Sequence, residues 1–104
     1  MIQPKNYEEL AELIEDGKKS LLFFTATWCG DCRAIKPAMP EIEASFPGLR
    51  FIELDRDRFM PLAKEWDIFG IPSFLILEGG KEVARFVDRN RKTKAQVMQF
   101  IEEN

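Results

Sequence analysis

The stretch Leu21-Leu22-Phe23-Phe24-Thr25-Ala26-Thr27-Trp28-Cys29-Gly30-Asp31-Cys32 decides how this chain is read. Leu21 to Ala26 is a short, nearly continuous apolar run, the pattern of a central strand buried on both faces. The run ends at Cys29 and Cys32, the only two cysteines of the chain, and a helical pattern begins at Gly30. Cysteines three apart at the start of a helix share a face, with β-carbons about 5–6 Å apart, close to the roughly 3.8 Å of a disulfide. Such a pair opens and closes with little rearrangement. Cys29 meets the unpaired N–H groups and positive dipole end of the helix, a setting that suits an attacking sulfur. It is the expected nucleophile. Cys32, deeper in the helix, is the expected resolving thiol.

Working outward, Asn6 and Glu9 read as a capping box for a first helix. Its apolar positions are Tyr7, Leu10, Leu13 and Ile14, and Gly17 stops it. The helix from Gly30 to about Phe46 keeps Ile35, Met39, Ile42 and Phe46 on one side, and Pro37 is expected to kink or break it. Strands are expected at Leu49–Leu54, Phe74–Glu78 and Glu82–Val87, the last two joined at Gly79-Gly80. A short helix lies around Pro61 to Trp66. Thr93 and Gln96 box the start of a final helix that turns Val97, Phe100 and Ile101 inward. The order α-β-α-β-α-β-β-α is an α/β pattern. Strands separated by helices are expected to run parallel, and the hairpin pair antiparallel. That gives a mixed four-stranded sheet with helices on both faces, in one domain over residues 1–104.

Composition narrows the chemistry. A net charge of -3 argues against a general nucleic-acid binder, which needs a basic face. No apolar run approaches the roughly 18 residues of a membrane span. The N-terminus lacks the basic and apolar regions of a secretory signal, so the expected location is cytoplasmic. The chain has no histidine, which removes Cys-His and Ser-His-Asp nucleophile sets. Two thiols fall short of the four ligands of structural zinc, so no metal is expected. No bound cofactor is needed, because a dithiol itself carries two electrons.

Trp28-Cys29-Gly30-Asp31-Cys32 after a strand resembles the Trp-Cys-Gly-Pro-Cys motif of the thioredoxin family. Ile71-Pro72-Ser73 resembles that family's Ile-Pro-Thr, 43 positions after Cys29. Pro37 and Gly79-Gly80 match its helix-kinking proline and its hairpin. The resemblance covers nearly the whole chain, with the first edge strand reduced to a remnant around Ile2. It implies the thioredoxin fold and a protein-disulfide reductase that cycles between dithiol and disulfide. It implies a cis bond before Pro72 and a substrate groove formed by Trp28, Phe69, Gly70, Ile71 and Pro72. There the Ile71 backbone pairs with an extended peptide. The implied partners are protein disulfides and a thioredoxin-reductase-like electron donor, with the chain a monomer. A thiol oxidase or isomerase, or a redox-inert interaction module on the same fold, are the alternatives.

Three departures from the family pattern bear on the chemistry. Asp31 stands where the motif has proline and brings a carboxylate close to Cys29, opposing negative charge there. Phe23 stands six residues before Cys29, where the family carries a buried aspartate that handles the proton of the resolving thiol. The family's lysine partner aligns with Glu53, which is read either as a relocated proton acceptor or as a solvent-facing strand residue. Asp88 or Arg89 stands where a glycine flanks the groove, so a side chain is expected to intrude. The basic run Arg85, Arg89, Arg91, Lys92 and Lys94 reads as a solvated face, with a partner-docking role as the alternative.

Overall fold

Every residue of the strand β1, Ser20–Thr25, is buried, because the alternating side chains of the apolar run enter two separate cores. Leu22 and Phe24 pack on one side with Leu10, Ile52, Leu54, Phe59 and Leu75. Leu21 and Phe23 pack on the other with Ile35, Met39, Ile42, Phe51, Phe74 and Val97. The computed structural model describes residues 1–104. Around β1 it arranges α1 (Tyr7–Glu15), α2 (Gly30–Ile35), a 3-10 turn (Lys36–Ala38), α3 (Met39–Ser45), β2 (Arg50–Asp55), α4 (Met60–Glu65), β3 (Ser73–Glu78), β4 (Lys81–Phe86) and α5 (Lys94–Glu102). The sheet order is β2-β1-β3-β4. The first core holds α1 and α4 against one face, and the second holds α2, α3 and α5 against the other.

Local signals account for most boundaries. Pro37 has no N–H to give to the helix ladder, and α2 passes into the 3-10 turn at that point. Gly79 and Gly80 both take positive φ, 61° and 74°, the geometry of a tight hairpin turn that matches strand twist. Thr93 and Gln96 form a full capping box. At α1 the box is altered: Asn6 accepts from the Glu9 N–H at 2.9 Å, but Glu9 accepts from the Lys5 N–H rather than that of Asn6. The remnant edge is a single parallel bridge from Ile2 to Ile52. No helix is long and apolar enough to cross a membrane.

One expectation fails. β1 and β2 are parallel, but β3 runs antiparallel to β1. The short α4 and the turning segment after it together set this direction. A helix of six residues spans about 9 Å, half of a six-residue strand at about 3.3 Å per residue. After β2 the chain therefore does not travel back across the sheet. It turns through Trp66–Pro72 and enters β3 at Ser73, beside Phe24, the same end at which β1 finishes.

The register sets Phe23 beside Glu53 on β2 and Phe74 on β3. The rings of Phe23 and Phe74 stack at 5.0 Å and 7°, and Phe74, Phe86 and Phe100 continue the contact toward α5. Phe74→Ala is expected to cost about 3–5 kcal/mol of unfolding free energy, read from the urea midpoint. A loss below about 1 kcal/mol would contradict the central place given to this stack.

Candidate active site

β1 ends at Thr25, and Cys29, four residues on, caps the start of α2. Its N–H bonds the Ala26 carbonyl at 3.2 Å, and its sulfur caps the helix by accepting from the Cys32 N–H at 3.2 Å. The two thiols, both free, differ in access. Cys29 is 8% exposed and Cys32 1%, so Cys29 is the more accessible of the two residues. Burial pushes the Cys32 thiol up to about 11. Its hydrogen bond with Cys29 acts in the same direction, and contacts with Thr25 and the Ala26 backbone offset part of the rise.

The other wall is the loop before β3. The Ile71–Pro72 bond is cis, and the Ile71 carbonyl accepts from the Cys29 thiol at 3.8 Å. The Ile71 N–H donates to no group of the chain. Gly70 is held by Ser73 Oγ, which donates to its carbonyl at 2.5 Å. A Cβ at Gly70 would overlap the Asp88 carbonyl oxygen and lie 2.9 Å from the Arg89 nitrogen, so glycine is required there. The backbone of Asp88–Arg89 thus makes a close approach, and the expected intrusion of a side chain does not occur. The Asp88 carboxylate turns to Lys92 Nζ at 2.7 Å, which holds that carboxyl below its ordinary range.

Trp28 and Phe69 stand 58% and 57% exposed on either side. Trp28 Nε1 donates to Asp57 Oδ2 at 2.7 Å, and the Arg56 guanidinium lies over the indole at 5.3 Å. Arg89 lies over Phe69 at 5.8 Å. Gly30, exposed, is the first residue of α2.

Asp31 is not the lone carboxylate that the sequence suggests. Arg91 Nε donates to it at 3.0 Å, so its charge has a partner 60 positions away. Glu53 is not a freely solvated strand residue. Its side chain is 10% exposed and takes Lys36 Nζ at 3.1 Å. Glu53 and Cys32 line one cleft of about 630 Å3 behind the active-site turn. The basic run is not uniformly solvated either: Lys92 is buried at 2%, and Lys94 pairs with Glu41. Asp57, Arg56 and Lys36 are missed by sequence reasoning, since each meets its partner through the fold and no local pattern marks it.

The thioredoxin family model matches residues 1–103. Thioredoxin H4-1 of Oryza sativa is 36% identical over 83 residues, covering 80% of this chain and 63% of that protein. A thioredoxin H-type of Picea mariana is 37% identical over 92 residues, covering 84% and 74%. The chain thus spans about two thirds to three quarters of the length of these relatives. The structure of Fasciola hepatica thioredoxin superposes with a TM-score of 0.85 at 28% identity, covering 99% of this chain and 98% of that one.

The raised Cys32 thiol gives a stability signature. The folded dithiol keeps this proton up to about pH 11, whereas an unfolded cysteine loses it near pH 8.5. Between those values the native state binds more protons, so this contribution is complete below the unfolded value and is lost as pH rises through about 11. The stability difference between the reduced protein and Cys32→Ser is expected to shrink over that window in urea titrations. A difference that stays flat would show that Cys32 ionises as freely folded as unfolded.

Proposed function

The chain belongs to the thioredoxin family, a family of thiol–disulfide oxidoreductases, and we propose that it reduces protein disulfides through Cys29 and Cys32. The unequal access of the two sulfurs carries this reading: an attacking thiol must reach substrate, and a resolving thiol must reach only its neighbour. The Cys29 thiolate attacks one sulfur of the substrate disulfide. A mixed disulfide forms at Cys29, and the other substrate sulfur leaves and takes a proton. Cys32 then attacks Cys29 Sγ and releases the second substrate sulfur. Two electrons pass to the substrate, and the pair becomes a disulfide. An external dithiol donor, of the kind a thioredoxin reductase supplies, returns the electrons.

The second step needs an acceptor for the Cys32 proton. A thiol titrating at about 11 is ionised in only ~1 molecule in 10⁴ at neutral pH. Phe23 accepts nothing, and we assign this role to Glu53. Its near-burial, its place on the cleft that Cys32 also lines, and its Lys36 partner support the assignment. Asp31 and Arg91 tune the turn, and Trp28, Phe69, Gly70, Ile71 and Pro72 form the peptide groove. The free Ile71 N–H offers a substrate strand a donor beside Cys29. The site is complete within one chain, which supports a monomer, and a disulfide reductase suits a reducing compartment such as the cytoplasm.

Insulin-type disulfide reduction tests the reading. The expected result is activity that Cys29→Ser abolishes, with Cys32→Ser accumulating a mixed disulfide visible by mass. A reduction potential near or below about -250 mV supports a reductase, and one near -150 mV turns the reading toward an oxidant. Glu53→Gln is expected to slow turnover several-fold, with Glu53→Asp restoring part of it. Identical pH–rate profiles for wild type and Glu53→Gln across pH 6–9 remove Glu53 from the proton path.

A further inference from the structure

Four arginines surround the turn that carries Cys29. Arg33 donates to the Thr27 carbonyl at 2.7 Å and lies beside Gly30. Arg91 meets Asp31, while Arg56 and Arg89 lie over Trp28 and Phe69, the exposed rings on the two sides. Together with Lys92 these are five cations. The carboxylates in contact with them or with Trp28 are Asp31, Asp57 and Asp88. The surplus is two positive charges, and one remains if neighbouring Asp55 is counted. The chain as a whole carries -3, so the site reverses the sign of the molecule around it.

We propose that this rim selects disulfides flanked by acidic residues: an extended peptide whose Asp or Glu side chains meet the arginines as its cysteine meets Cys29. The proposal rests on the disulfide-reductase reading and adds the substrate's charge. Two observations beyond the net charge point to a carboxylate-bearing peptide. First, the Arg89 guanidinium makes no hydrogen bond within the chain, its recorded side-chain contact being the Phe69 ring. Five N–H donors in a planar fork are therefore free for a bidentate carboxylate. Second, the free Ile71 N–H provides a backbone donor between these walls. A strand bound there alternates its side chains, so those not pointing at Cys29 reach toward the rim. Because the arginines are mostly exposed, their effect falls on encounter rate and weakens with salt.

The test uses the pre-reduced full chain and three disulfide peptides that differ only in flanking residues: acidic, neutral and basic. Rates are followed by acid quench and chromatography. At low ionic strength the acidic peptide is expected to be reduced about tenfold faster than the basic one, with the gap closing toward about 0.5 M salt. Arg89→Glu is expected to lower the acidic-to-basic rate ratio at least threefold or so. Equal rates for all three peptides, a faster basic peptide, or a preference indifferent to salt overturns the proposal and leaves the reductase reading standing. Reduction of none of the three overturns both.

Discussion

The chain depends on a strand that is buried on both sides. β1 has no solvent face, so its alternating residues commit helices to both sides of the sheet, and its ends become the only places where it meets solvent. The first polar positions after it fall at the C-terminal end of the strand, and Cys29 caps a helix there. Each later element then has a defined duty toward that end. β2 brings Glu53 under the turn, α4 is too short to carry the chain away, and the loop into β3 delivers Ile71 opposite Cys29. The difference between the two sulfurs follows from this placement. One belongs to the rim of the sheet, and the other to its interior.

Much of this was legible in the sequence because it is local. The Leu21–Ala26 run, the break at Pro37, the turn at Gly79-Gly80 and the cap at Thr93 each act through neighbours a few positions away, and the fold follows them. The strand bounds shift by one residue, as expected where ladder bonds rather than hydrophobicity set the end. The direction of β3 was not legible from element order alone, because it depends on comparing the reach of α4 with the height of the sheet. The dithiol and its loop were legible through their motifs. Their charged surroundings were not: Arg91 reaches Asp31 across 60 positions, and Lys36 reaches Glu53 across 17. No pattern along the chain announces such pairs.

The departures at Phe23 and Asp31 acquire a common sense once these partners are seen. Phe23 joins an aromatic stack with Phe74 and fills the space that a buried acid would occupy, so the core is fully apolar at that point. A carboxylate, Glu53, stands one strand over, at the margin of a solvent-open cleft, where Lys36 offsets its charge. Moving an ionisable group from the core to a cleft lowers its desolvation cost. Asp31, likewise, sits close to a reactive sulfur with Arg91 beside it. Both carboxylates near the dithiol are therefore kept in company with cations.

The contact between Gly70 and the backbone of Asp88–Arg89 joins the loop that faces Cys29 to the segment that carries Arg89 and Arg91. The contact is made by main chain on both sides, so it constrains shape at Gly70 while leaving the side chains at 89 and 91 free of steric duty. Recognition and chemistry are therefore separable in heredity. A lineage is able to exchange the residue at position 89, and with it the charge of the rim, while the reactive geometry passes unchanged from one copy of the gene to the next.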